Sequence, residues 1–351
     1  MTAMVELKII SYNVHSCVGS DGIFSVERIA SILSRENNLS PTHIHPSAST
    51  LPAADIICLQ EIECNIVKQR TRLWSTMHSI DQPQIITNAL GYEYVSFAPA
   101  IASIASSWRK EVHDIPRRTS GGTFGIATIS KYPILDHREH RYSRYKQKTH
   151  RNAQACLIQL PFTTRNSNNG SGNGNGGSDR GRKNVWVVNT HLGCHYGPEQ
   201  YEQAKELVIF MQSLLYNSTN NDDEGESTGI ILCGDLNSPP FFRSIFREIK
   251  NAGFVDTFKV GGIGPSATFP SDGRIPGLPS SIPSWLCFCC KKRPILRLDY
   301  IFVKGITACG DGNSYNKDKR SHLRLRYAYV VKGNNAVISS DHLPICSIFE
   351  V

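Results

Sequence analysis

The stretch Ile230–Pro240, IILCGDLNSPP, runs through four apolar residues and a glycine, then Asp235 and Asn237 with Leu236 between them, and closes on Ser238-Pro239-Pro240. Its apolar half suits a strand covered on both faces, and two prolines forbid further sheet pairing. Residues two apart on a strand share a face, so Asp235 and Asn237 are expected to alternate outward onto one side. Gly234 lets the backbone turn closely. A buried strand that ends in a carboxylate and a carboxamide is therefore the pattern to look for elsewhere.

It recurs. IISYNVH ends in Asn13 and His15, IICLQE in Gln60 and Glu61, and VVNTHL in Asn189 and His191. RLDY puts Asp299 at the start of a strand, and SSDHLPI puts Asp341 and His342 just before the last one. Further β-rich runs are YEYVSFAPA, TFGIATISKYPI, AQACLIQLPF and YAYVVKG. Helical spacing appears between them. SVERIASILSREN has Ser25 as N-cap with Ile29, Ile32 and Leu33 on one face. GPEQYEQAKELVIFMQSLL opens at Pro198 and ends near Tyr216, and FRSIFREIKNAG stops at Gly253. Interleaved strands and helices mean an α/β architecture.

Segments without periodicity read as insertions, near 37–52, 166–184, 217–228, 272–293 and 310–321, in one catalytic domain over 5–351. Eleven irregularly spaced cysteines and no secretory leader predict reduced thiols and a cytoplasmic chain. No window has the roughly 18 apolar residues of a membrane span. The formal charge of +8 favours an anionic partner, which leaves nucleic acid, an acidic membrane surface and a phosphorylated small molecule. A monomer without an evident protein partner is expected.

The strand ends agree chemically. Glu61, Asp235 and Asp341 supply hard carboxylate oxygens, and Asn13 and Asn237 supply neutral carbonyls. That is a field for Mg²⁺ or Mn²⁺, with none of the thiolate or His-rich grouping zinc would want. His191 and His342 can donate to a phosphate or pass protons near neutral pH. Asp299 can orient His342 and stabilise its charged form. Any one of these residues alone would read as a turn former or a satisfied histidine; the weight lies in their shared chemistry, which suits attack by water on a phosphoester.

In order, SYNVH, CLQEIE, NTHLG, GDLNSPP, LDYIFV and SSDHLPI resemble the motifs of the endonuclease/exonuclease/phosphatase superfamily of metal-dependent phosphoester hydrolases, from Ser11 to Ile345. The resemblance implies a four-layer sandwich of two mixed β-sheets flanked by helices, with the active site at one edge. It implies that Glu61 is the main metal-binding glutamate, that Asn13 is a ligand or phosphate contact beside it, and that Asp341 is a second metal-side carboxylate. By the same matching, Asp235 orients or deprotonates the attacking water, Asn237 lies beside it on the phosphate, His191 stabilises the phosphate, and Asp299 and His342 form a hydrogen-bonded pair. His15 and Arg151 are substrate-side candidates. One metal or two fit the motifs equally.

SYNVHSCVGSDGIFSVERIASIL and the ATFPS to ILRLDYIFVKG region resemble a bacterial-type branch that includes modules associated with glycosylphosphatidylinositol-anchor lipid remodelling. NTHLG resembles sphingomyelinase-like members more than abasic-site repair enzymes. Ile126 stands where the family often carries Asn, so a polar contact near the substrate is not expected there. The segment 284–293 holds Trp285, Leu286 and Phe288 beside Cys287, Cys289 and Cys290, followed by Lys291, Lys292 and Arg293. It reads either as a membrane-surface contact with acylated cysteines or as an ordinary loop tip. The leading expectation is a Mg²⁺-dependent phosphodiesterase acting on a lipid head group. DNA or RNA is the alternative substrate, with the basic stretch Asp136–Arg151 as its contact. A non-catalytic scaffold of the same fold is the third reading.

Overall fold

The computed structural model describes residues 6–34, 54–64, 69–70, 75–76, 81–101, 123–143, 150–161, 183–194, 197–218, 227–272, 294–305, 307–308, 323–332 and 334–350. Two mixed sheets face one another. The first runs, in spatial order, Gly262–Ile263, Arg324–Val330, Ile345–Glu350, Glu6–Asn13, Ile56–Cys64, Thr123–Ser130 and Tyr94–Ile101, with Thr307–Ala308 added beside Arg324–Val330. The second runs Val255–Asp256, Asp299–Lys304, Ser227–Asp235, Lys183–His191, Asn152–Leu160 and Ile134–Arg141.

Near-continuous apolar runs follow from this layering, because both faces of the central strands are covered. On Glu6–Asn13, Leu7 and Ile9 point into the core between the sheets, where they join Ile56, Val185, Val187, Ile231 and Ile301. Ile10 and Tyr12 point the other way, into the core under the helices Val26–Leu33 and Gln82–Leu90. On the far side, Leu207, Met211 and Leu214 of Pro198–Ser218 and Ile245 and Ile249 of Arg243–Asn251 cover the second sheet. The order is helices, sheet, sheet, helices. An eight-residue helix is marginal alone; burying Ile29, Ile32 and Leu33, at about 1.5–3 kcal/mol each, is what holds Val26–Leu33.

The expected helices are present. The Ser25 hydroxyl accepts from the Arg28 amide at 3.2 Å, and Arg243–Asn251 closes before Gly253 at φ +89°. Gln82–Leu90 is an addition, capped by Asp81 and closed by Gly91 at φ +68°. Two expected insertions shrink: Pro198–Ser218 runs into the 217–228 segment, and the strand Ser227–Asp235 starts inside it. Lys183–His191 likewise takes in residues 183 and 184. Apart from Asp272, the remaining insertion segments, with Trp285, Cys287, Phe288, Cys289 and Cys290, lie outside the described residues. No disulfide joins two of the described cysteines. No described helix is long and apolar enough to cross a membrane.

Candidate functional site

Register alone assembles most of the site. In the second sheet, Asp235 pairs with His191 on its parallel neighbour and with Asp299 on its antiparallel one, while His191 pairs with Asn152. In the first sheet, Asn13 pairs with Gln60. The two rows meet across the sandwich, where the Asn13 amide donates to Asp235 Oδ2 at 2.9 Å. Deeper, Gln60 Nε2 donates to Asn189 Oδ1 at 2.8 Å, and Asn189 Nδ2 donates to the Leu59 and Ala127 carbonyls at 3.1 and 2.9 Å. Asn189 and Gln60 thus bind sheet to sheet. Gly234 is needed because a Cβ there would lie 2.2 Å from the Thr190 carbonyl oxygen of the adjacent strand.

Glu61 reaches the cleft through a bulge. Gln60 pairs with Ile126 and Ile62 with Gly125, so Glu61 is the extra, unpaired residue, at φ +55°. A bulge re-aims one side chain out of the alternation, and this one brings Glu61 Oε1 to 3.7 Å from His191 Nε2. After Asn13 the chain makes a left-handed turn, with His15, Ser16 and Cys17 at φ +47°, +53° and +60°. For residues other than glycine such backbone costs roughly 1–2 kcal/mol each. The turn lets Asn13 Oδ1 accept from the His15 amide at 3.0 Å and puts His15 Nδ1 3.8 Å from Asp341 Oδ1.

His342 Nδ1 hydrogen-bonds Asp299 Oδ2 at 2.8 Å, and its ring packs on Phe269 with centroids 4.8 Å apart. His342 Nε2 lies 3.8 Å from Asp235 Oδ2. That is too long for a hydrogen bond, yet short enough for both groups to reach one oxygen atom. Burial works to lower the pKa of His342, but Asp299 and then Asp235 carry it well above the ordinary imidazole value. Burial pushes Asp235 up to about 7, against the pull of His342. The pair therefore holds a charged imidazolium beside a carboxyl that ionises near neutral pH.

His191 is the opposite case. Burial first, then Arg151 and His342, hold its pKa well below the usual value. Asn237 Nδ2 donates to the Leu192 carbonyl at 3.0 Å, which sets its amide orientation, and meets His191 Nε2 at 2.9 Å. His191 Nε2 is then an acceptor, and the ring is neutral with its proton on Nδ1.

Asn237 does not sit on the strand as the alternation predicted. Ser227–Asp235 stops at Asp235, the Asn237 amide donates to Asp235 Oδ1 at 2.7 Å, and Asn237 takes φ +49°. A side-chain turn of this kind competes with the sheet ladder, so the strand ends before Pro239 and Pro240. Arg151 is buried, with Nε donating to the Leu192 carbonyl at 3.2 Å, behind His191 rather than in open solvent. Ile126 is buried in its strand. Three supporting residues carried no role in the sequence reading although their motifs were quoted. Thr268 Oγ1 accepts from the Leu298 and Asp299 amides at 3.2 and 3.4 Å. Ser340 Oγ donates to the Asn13 carbonyl at 2.8 Å and accepts from the His342 amide at 3.2 Å. Phe269 backs the His342 ring.

Two groupings could concern a cation. Oxygen and nitrogen atoms of Asp235, Asp299 and His342 converge within 4.8 Å, all buried, but His342 Nδ1 and Asp299 Oδ2 are already committed to one another. Toward solvent, Glu61, 3.7 Å from His191, and Asp341, 3.8 Å from His15, keep 23 and 31 % of their side chains exposed, and Asn13 Oδ1 accepts the His15 amide. Hard oxygens at a solvent-reachable edge fit a divalent cation of the Mg²⁺ kind better than a buried, hydrogen-bonded pair does.

A family profile described as the Endonuclease/Exonuclease/phosphatase family matches residues 10–342. Solved structures share the fold. An endonuclease/exonuclease/phosphatase from Beutenbergia cavernae is 16 % identical at a TM-score of 0.55, covering 99 % of this chain and 72 % of its own. A mannosyl-6-phosphatase from Bacteroides thetaiotaomicron is 13 % identical at 0.54, covering 98 and 100 %. The human Nocturnin catalytic domain with bound sulfate is 17 % identical at 0.53, covering 98 and 93 %. No curated protein sequence matches the chain.

Proposed function

The chain belongs to the endonuclease/exonuclease/phosphatase family of metal-dependent phosphoester hydrolases, and from that premise we propose that it hydrolyses a phosphodiester, with a lipid head group as the favoured substrate. The observation that carries the reading is the buried convergence of Asp299, His342 and Asp235 beside Asn237. Asp235 takes the proton of the attacking water and holds it by Oδ2, the oxygen facing His342. Charged His342, oriented by Asp299, donates an Nε2–H hydrogen bond to a phosphoryl oxygen as the water oxygen bonds to phosphorus; the P–O bond to the alcohol breaks, and the leaving alkoxide takes its proton from solvent. Neutral His191 orients Asn237, whose amide borders the same space.

Glu61, Asp341 and the side-chain oxygen Oδ1 of Asn13 would hold Mg²⁺, with Mn²⁺ as a substitute, at the mouth. When bound, the cation supplies Lewis-acid polarisation of the phosphoryl group. His15, 3.8 Å from Asp341, lies on the substrate side, and buried Arg151 bears on it through its charge near His191.

Support for a lipid comes from the NTHLG and SYNVHSCVGSDG motifs. Within the described part of the Asp136–Arg151 stretch, which is the contact expected for nucleic acid, Arg138 pairs with Asp136 at 3.0 Å, and His137 and His140 lie against Glu139 and Glu206 at 3.4 and 2.9 Å, so these three side chains already face carboxylates. A membrane contact through 284–293 belongs to the same proposal, as does action by a monomer without a protein partner. Purified protein with Mg²⁺ is assayed on sphingomyelin vesicles, inositol phosphodiesters and DNA or RNA oligomers. Hydrolysis of the lipid, abolished by EDTA and by His342→Ala, is expected. Activity surviving both treatments would remove the catalytic assignment, and preferred cleavage of oligomers would move the substrate to nucleic acid. Vesicle binding unchanged when Cys287, Cys289 and Cys290 become Ser would remove acylation.

A further inference from the structure

The left-handed turn His15–Cys17 needs something to hold it, because each of its residues has a Cβ and stands at positive φ. Three buried side chains do so. Ser16 Oγ donates to Glu63 Oε1 at 3.1 Å, Gln82 Nε2 donates to the Ser16 carbonyl at 3.2 Å, and Gln82 Oε1 accepts from the Glu63 amide at 2.9 Å. Ser16, Glu63 and Gln82 are 7, 5 and 2 % exposed, so these bonds form away from water and leave little alternative for the groups involved. Both the side chain and the carbonyl of the central left-handed residue are therefore tied to one carboxylate and one amide.

The same turn sets the mouth of the cleft. It begins two residues after Asn13, whose Oδ1 accepts the His15 amide, and it presents the His15 ring toward Asp341. Glu63 and Glu61 share one strand, on either side of Ile62. The bulge sends Glu61 into the cleft, while Glu63 points to the turn under the Gln82–Leu90 helix. We propose that Glu63 is a positioning residue: by holding the left-handed turn through Ser16 and Gln82, it fixes where Asn13 and His15 stand relative to Glu61 and Asp341. This rests on the reading of Asn13, Glu61 and Asp341 as the cation-facing edge.

The test compares Glu63→Gln, which keeps an acceptor oxygen for the Ser16 hydroxyl, with Glu63→Ala, and adds Ser16→Ala, which removes the same bond from its other end. Two quantities are read on full-length protein: Mn²⁺ affinity by calorimetry and steady-state kinetics on the substrate found above. Thermal melts accompany both. The expected result is at least tenfold weaker Mn²⁺ binding and at least tenfold lower kcat in Glu63→Ala, with Glu63→Gln within about threefold of wild type. Ser16→Ala should follow Glu63→Ala in direction, and the double variant should be no worse than Glu63→Ala alone, because the Ser16–Glu63 bond is already absent from Glu63→Ala. Should Glu63→Ala fail to fold, Ser16→Ala carries the comparison by itself. A folded Glu63→Ala or Ser16→Ala with wild-type Mn²⁺ affinity overturns the proposal, as does Glu63→Gln impaired as deeply as Glu63→Ala. If the wild type binds Mn²⁺ but turns over no phosphoester, the functional reading fails while the calorimetry still decides the role of Glu63. If it binds no Mn²⁺, the cation-facing edge and this proposal fall together.

Discussion

Burial alone would strip the proton from His342, since a charged imidazole without water is costly. Asp299 at 2.8 Å and Asp235 at 3.8 Å reverse that sign. Asp235 must lose its proton to act as a base, and His342 must keep its own to act as a donor. Activity is therefore expected to rise with pH through about 7, where Asp235 ionises, and to fall at alkaline pH as the raised His342 deprotonates. The profile of kcat/KM between pH 5 and 10 checks this, and a flat profile would contradict it. His342→Ala should lower kcat by about 10²- to 10⁴-fold, the usual range for a positioned acid or base. The residue types at this scale were legible from Asp299 and His342 in the chain. The neutral state of His191 was not, because it depends on burial and on Arg151 and His342 nearby, and its tautomer on an Asn237 amide held by the Leu192 carbonyl.

At the scale of elements, the strand ends carry the site because the register of the sheets, parallel at Asp235–His191 and antiparallel at Asp235–Asp299, sets polar residues of neighbouring strands side by side. Gly234→Ala should push Ser227–Asp235 off Lys183–His191, since the new methyl would meet the Thr190 carbonyl oxygen at 2.2 Å. At least tenfold lower kcat in a protein with native circular dichroism is the expected outcome. The strand carrying Asp299 has its own anchor. Arg297 forms two hydrogen bonds to Asp256 at 2.7 and 2.9 Å and lies over the rings of Phe258 and Tyr300. Both partners are buried, so Arg297→Ala leaves an unanswered carboxylate and should cost about 3–5 kcal/mol of stability, read from urea unfolding. Strands and capped helices were legible here, from apolar runs and from Ser25, Pro198 and Gly253. The bulge at Glu61 and the turn at His15–Cys17 were not, because no glycine marks either one; distant partners such as Glu63 and Gln82 hold the turn.

Over the whole molecule, the two sheets close a cleft that neither forms alone: the Asn13–Asp235 bond joins residues 222 apart in sequence. EDTA should abolish turnover and Mg²⁺ should restore it, whereas a nucleic-acid substrate would add a steep loss of binding with salt. What the sequence determined by itself was the α/β class, the order of the motifs, and a set of oxygen and imidazole groups suited to phosphoester chemistry. Those are properties of composition, period and spacing, and a single chain displays them. Only the tertiary structure decided which groups touch, which protons they carry, and that Asn237 leaves the strand while Glu61 bulges from it. Side-chain direction and pKa depend on neighbours from remote parts of the chain and on the exclusion of water, and these come into being only when the sheets pack together.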